Sequence, residues 1–67
     1  MNTFTISVDS NFGQLLEEIL VEDVGATIDD ISEEPKRWTI IFSTDKTQKD
    51  LDEIISEYIA REDFIFC

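Results

Sequence analysis

Apolar and polar positions along the chain change period several times, and each change marks an element. Residues 3–8 (TFTISV) set Phe4, Ile6 and Val8 against Thr3, Thr5 and Ser7. Period two with β-branched residues predicts a strand with one buried face and an outer row of hydroxyls. Asp9, Ser10 and Asn11 follow, and each can cap a helix by accepting from a free backbone N–H. Phe12, Leu15, Leu16, Ile19, Leu20 and Val24 then form one stripe at helical period, closed by Gly25 where a left-handed residue is expected. The predicted helix covers 11–24.

Residues 26–31 (ATIDDI) read as a weaker strand, because Ile28 and Ile31 are three apart and break the alternation. A bulge or strand end is expected near Asp29 and Asp30. Residues 32–36, with Pro35, make a turn. In 37–43 (RWTIIFS), Trp38, Ile40 and Phe42 oppose Thr39, Ile41 and Ser43, and apolar residues on both faces predict a central strand. Thr47 and Asp50 fit capping-box spacing, with Asp in place of Glu or Gln. The helix they open carries Leu51, Ile54, Ile55, Tyr58 and Ile59 on its stripe and is expected to end near 61–62. Residues 63–67 (DFIFC) are a last short strand.

The order is β-α-β-β-α-β. Two βαβ units with right-handed crossovers, joined by a hairpin, predict a single α+β domain over 1–67 with the ferredoxin-like arrangement. In it a four-stranded antiparallel sheet of order 4-1-3-2 carries both helices on one face. That fold hosts many unrelated functions.

Charge changes the picture. The net charge is −11, and it is lopsided. Residues 1–35 hold nine acids and no base, whereas Lys36, Arg37, Lys46, Lys49 and Arg61 all follow. A field of that shape is a property a partner can recognise. Such acidity disfavours contact with nucleic acid or anionic membrane, and no apolar run approaches a membrane span of about 20 residues. No basic leader precedes an apolar run at the N-terminus. The single cysteine, Cys67, cannot form an intramolecular disulfide, which suits a reducing, cytoplasmic setting.

Candidate chemistry is sparse. Without histidine there is no imidazole base, and no serine sits in a nucleophile elbow, so a non-enzymatic protein is expected. The loop 29–34 offers oxygen ligands but lacks the spacing and turn glycine of an EF-hand, so no metal or other cofactor is expected. Heavy-metal-associated domains of similar size carry CxxC after the first strand, where this chain has Asp9-Ser10-Asn11-Phe12-Gly13. RNA-recognition motifs stack bases on aromatics of the open sheet face. Here Phe4, Trp38 and Phe42 are expected toward the helices instead.

Two resemblances remain. Asp9 and Gly13 after the first strand, and Gly25-Ala26-Thr27-Ile28 entering the second, resemble ACT-type regulatory domains, with a spacing one residue longer. That resemblance implies a regulatory or assembly module that dimerises and binds a small ligand between subunits. The other likeness is one of class. Glu17, Glu18, Glu22 and Asp23 line the outer side of the first helix, and Asp29, Asp30, Glu33 and Glu34 follow closely. Glu22 and Asp23 fall in its last turn, where the helix dipole disfavours negative charge by a few tenths of a kcal/mol each. If the two groups adjoin, they form an acidic flank. Duplex DNA carries one charge per about 1.7 Å of axis, and acids on a helix rising about 1.5 Å per residue approximate such a row. In size, charge and lack of catalytic groups the chain is similar to phage counter-defence proteins of the anti-CRISPR and anti-restriction kind. The expected partner is a basic protein or nucleoprotein complex, met through those eight acids.

Overall fold

Residues 1–67 are described by a computed structural model. The alternating segments form β1 (Asn2–Asp9), β2 (Thr27–Glu33), β3 (Arg37–Thr44) and β4 (Phe64–Phe66). They make one four-stranded sheet of order β2-β3-β1-β4, antiparallel at every pairing. The two strands with the strongest period-two patterns, β1 and β3, are central. In their register Phe4 faces Phe42, Ile6 faces Ile40 and Val8 faces Trp38.

One cluster of twelve buried side chains holds the molecule together. Ile6, Val8, Ile40, Phe42 and Phe64 come from the sheet; Leu16, Ile19, Leu20, Val24, Leu51, Ile55 and Ile59 come from the helical segments and the turn after them. Both helices therefore cover the same sheet face. Phe4 adds aromatic contacts at its edge, with ring centroids 5.7 Å from Phe42 and 6.2 Å from Phe66. Such pairs contribute about 0.5–1.5 kcal/mol each beyond area burial. The other sheet face is open and rich in hydroxyls. There Thr5 faces Ile41, Ser7 faces Thr39 and Ile65, and Arg37 Nε donates to Ser7 Oγ at 2.8 Å.

The first helical segment is not one α-helix. A 3₁₀ turn (Ser10–Phe12) leads into α1 (Gly13–Glu18), and a π-helical stretch (Ile19–Val24) completes it. Asp9 Oδ1 caps the start, accepting from Asn11 N at 2.9 Å. The stripe itself explains the widening. At about 100° per residue, Asp23 would lie about 20° from buried Leu16, and Val24 about 80° away. That would aim a carboxylate into the core. The wider i→i+5 turn rotates each residue less, which brings Val24 into the core and leaves Asp23 exposed.

Gly25 ends the stretch at φ 71° and ψ 27°, the left-handed cap the sequence predicts. A Cβ there meets nothing within 4 Å, so any effect of adding one is conformational. Gly25→Ala should lower stability by about 1–2 kcal/mol, read as an earlier chemical-denaturation midpoint. An unchanged or later midpoint would contradict the cap.

The bulge in β2 falls as expected, between Ile28 and Asp30, while the strand runs on to Glu33 and shortens the turn. The second helix, α2 (Gln48–Ser56), carries the predicted capping box: Thr47 Oγ1 accepts from Asp50 N at 3.2 Å, and Thr47 N donates to Asp50 Oδ2 at 3.5 Å. It ends earlier than the 61–62 the stripe suggests. Ser56 Oγ donates back to the Glu53 carbonyl, and Tyr58 N and Ile59 N both turn onto the Ile55 carbonyl. The chain then has a 3₁₀ turn (Arg61–Asp63) before β4, which lays Phe64 opposite Val8.

Candidate functional site

The outward turn of Asp23 creates the most distinctive surface. Val21, Glu22 and Asp23 are consecutive and exposed, Glu18 stands one turn earlier, and Glu17 is half-buried beside it. Glu18, Glu22 and Asp23 rim a shallow cleft of about 250 Å³ whose remaining lining is Leu15, Ile19 and Tyr58. Tyr58 comes from the turn after α2, so the cleft lies between the first helical segment and the end of α2. A neighbouring depression of about 300 Å³ shares Glu18 and Glu22 and adds Gln14, Glu17 and Val21. Four of the eight candidate acids thus come together on one continuous surface.

Asp29 and Asp30 do not join them. The bulge places both on the open sheet face, where Ser43 Oγ donates to Asp29 Oδ2 at 2.6 Å and Asp30 stands opposite Ile41. Because Ser43 gives its proton to Asp29, Thr3 Oγ1 is the donor in its 3.2 Å contact with Ser43. Glu33 and Glu34 are exposed at the end of β2 and the start of the hairpin turn. The acidity consequently lies on both sides of the β2 edge rather than in one flank.

Almost none of it is neutralised from within. The two ion pairs join the Met1 amino group to Asp45 at 3.8 Å and Arg61 to Asp52 at 3.0 Å. Neither includes any of the eight acids. Tyr58 registers the field: the adjoining Asp23 carboxylate, as a potential hydrogen-bond acceptor and as a charge, raises its hydroxyl above the ordinary 10.0. No three acidic or cysteine side chains converge closely enough to ligate one metal ion. No helix is long and apolar enough to cross a membrane.

Leu15 and Tyr58 depart from their expected core positions, being 37% and 53% exposed. Leu15 stands at the edge of a stripe already filled by Leu16, Ile19 and Leu20, and Tyr58 lies beyond the true end of α2. The phenol hydroxyl, which cannot be buried without a partner, was the available signal for Tyr58. Comparison of the chain with protein-family models, characterised proteins and solved structures finds no significant match.

Proposed function

We propose that this chain is a small, acidic, non-enzymatic binding protein of the cytoplasm, with the ferredoxin-like arrangement of strands and helices. It inhibits a basic nucleic-acid-binding protein or complex by occupying the surface meant for phosphates, in the manner of phage counter-defence proteins. One observation carries this reading: the carboxylates of 17, 18, 22 and 23 are grouped on one surface with no cation of the chain paired to them. Like charges held together repel in the folded state, and Glu22 and Asp23 also oppose the helix dipole. Lysine at those sites would serve stability better. A basic partner is what makes the arrangement favourable, and charge complementarity also speeds encounter. The strand order supports the ferredoxin-like reading, since from the β4 edge it runs 4-1-3-2.

Capture from a native host lysate at low salt, followed by a salt gradient, tests the proposal. The expected eluate is a basic nucleic-acid-handling protein released at moderate salt and displaced by added DNA or RNA. Recovery of a metabolic enzyme insensitive to salt, or of the chain alone, would overturn it.

A second reading is an ACT-like assembly module, favoured by Ile65. That side chain is 60% exposed on the open sheet face, on the short uncharged strand β4 at the sheet edge. It predicts a dimer that buries Thr5, Thr39, Ile41 and Ile65. Sedimentation showing only monomer across the micromolar range would remove it.

A further inference from the structure

The cleft between the first helical segment and the end of α2 has a chemistry that bulk acidity does not explain. Its lining divides into an apolar part (Leu15, Ile19 and the Tyr58 ring) and a carboxylate rim (Glu18, Glu22 and Asp23). Leu15 and Tyr58 are two of the five large hydrophobic side chains this chain leaves exposed, and Val21 on the adjoining depression is a third. A surface that merely kept the protein dissolved would not gather them there. No lysine or arginine of the chain lines the cleft, and none pairs with its rim.

We propose that this cleft is an anchor site for an arginine side chain of a protein partner. The proposal rests on the acidic-inhibitor reading above and names the group that reading leaves unspecified. The three properties of arginine match the three parts of the lining. Its methylene stem is apolar and packs on Leu15 and Ile19. Its planar guanidinium stacks on an aromatic face, here Tyr58. Its fork of N–H donors fits carboxylates two at a time, and Glu18, Glu22 and Asp23 supply them. Lysine offers the stem and the charge but neither the plane nor the fork. Phosphate and other anions are repelled by the rim, and an uncharged apolar group would strip water from three carboxylates without pairing them.

The test uses a short alternating arginine–glycine peptide and its lysine–glycine counterpart of equal length and charge. Each is titrated into the full chain at low salt and followed by amide chemical shifts. The arginine peptide should bind about three- to five-fold more tightly, with shifts centred on Leu15, Ile19 and Tyr58. Tyr58→Leu, at a position 53% exposed, should reduce arginine binding to the lysine level. Tyr58→Phe should retain the preference. Equal affinity for the two peptides, with shifts spread equally over Asp29, Asp30, Glu33 and Glu34, would overturn the anchor site while leaving a general acidic inhibitor standing. Failure of both peptides to bind would overturn the anchor site and count against the inhibitor reading as well.

Discussion

Reversing Glu18 and Glu22 to lysine together should weaken binding to a basic nucleic-acid-handling partner about five- to 150-fold, with no loss of folding stability. An exposed charge pair is worth about 0.2–1 kcal/mol, and reversal replaces attraction by repulsion at two neighbouring sites. The combined change is about 1–3 kcal/mol, and every 1.4 kcal/mol is tenfold in affinity. Stability should move the other way. Both side chains are exposed, and Glu22 lies in the segment closed by Gly25 with no basic residue in its last turn. Lysine there interacts favourably with the helix C-terminus, by about 0.3–1 kcal/mol. Calorimetric affinity alongside a denaturation curve separates the two effects. Undiminished affinity with unchanged salt dependence would show that these carboxylates are not the contact. A lower denaturation midpoint would show that they serve the fold.

Gly13→Ala is expected to destabilise the protein by about 1–3 kcal/mol, against the ordinary rule for helices. Alanine normally improves on glycine in a helix by about 1 kcal/mol, and Gly13 has ordinary right-handed helical angles, φ −59° and ψ −49°. Its backbone does not require glycine; its neighbour does. A Cβ at this position would fall well inside contact distance of the Trp38 ring atoms Cδ2, Cε3 and Cγ. Gly13 is buried, and Trp38 is a half-buried residue of a central strand, so relief requires moving the helix or the ring. Overpacking of that kind costs about 1–3 kcal/mol. Trp38 is the single tryptophan, so its fluorescence reports on the contact directly. In a double-mutant cycle, Gly13→Ala should cost less in a Trp38→Leu background, where the ring is absent. A stabilised Gly13→Ala variant would mean that the helix does not rest on Trp38 in solution.

How much of this was legible depended on what each signal measures. Strands β1 and β3 were readable nearly to the residue because alternation is a local property that burial of one face enforces. The Thr47–Asp50 box and the Gly25 cap were readable because each satisfies backbone groups within a few residues. The bulge at Asp29 and Asp30 appeared as a broken alternation, but its consequence did not. Only the register against β3 shows that both carboxylates turn to the open face. The π-helical stretch was missed because the steps of three and four pass for one α-helical stripe, although the eight-residue step from Leu16 to Val24 accumulates about 80°. The end of α2 was overestimated for a related reason. Ile59 continues the helical stripe in sequence and is buried, yet it reaches the core from the turn rather than from the helix. The cleft could not be read at all, since its lining joins Tyr58 to residues about forty positions earlier that only packing brings near.

Competition between this chain and duplex DNA for the captured partner, followed across a salt series, decides whether the acidic surface occupies a phosphate-binding site. Binding of the two should be mutually exclusive, with the affinity of the chain falling steeply as salt rises, as the affinity for DNA does. A ternary complex of partner, DNA and this protein, or an affinity indifferent to salt, would contradict it.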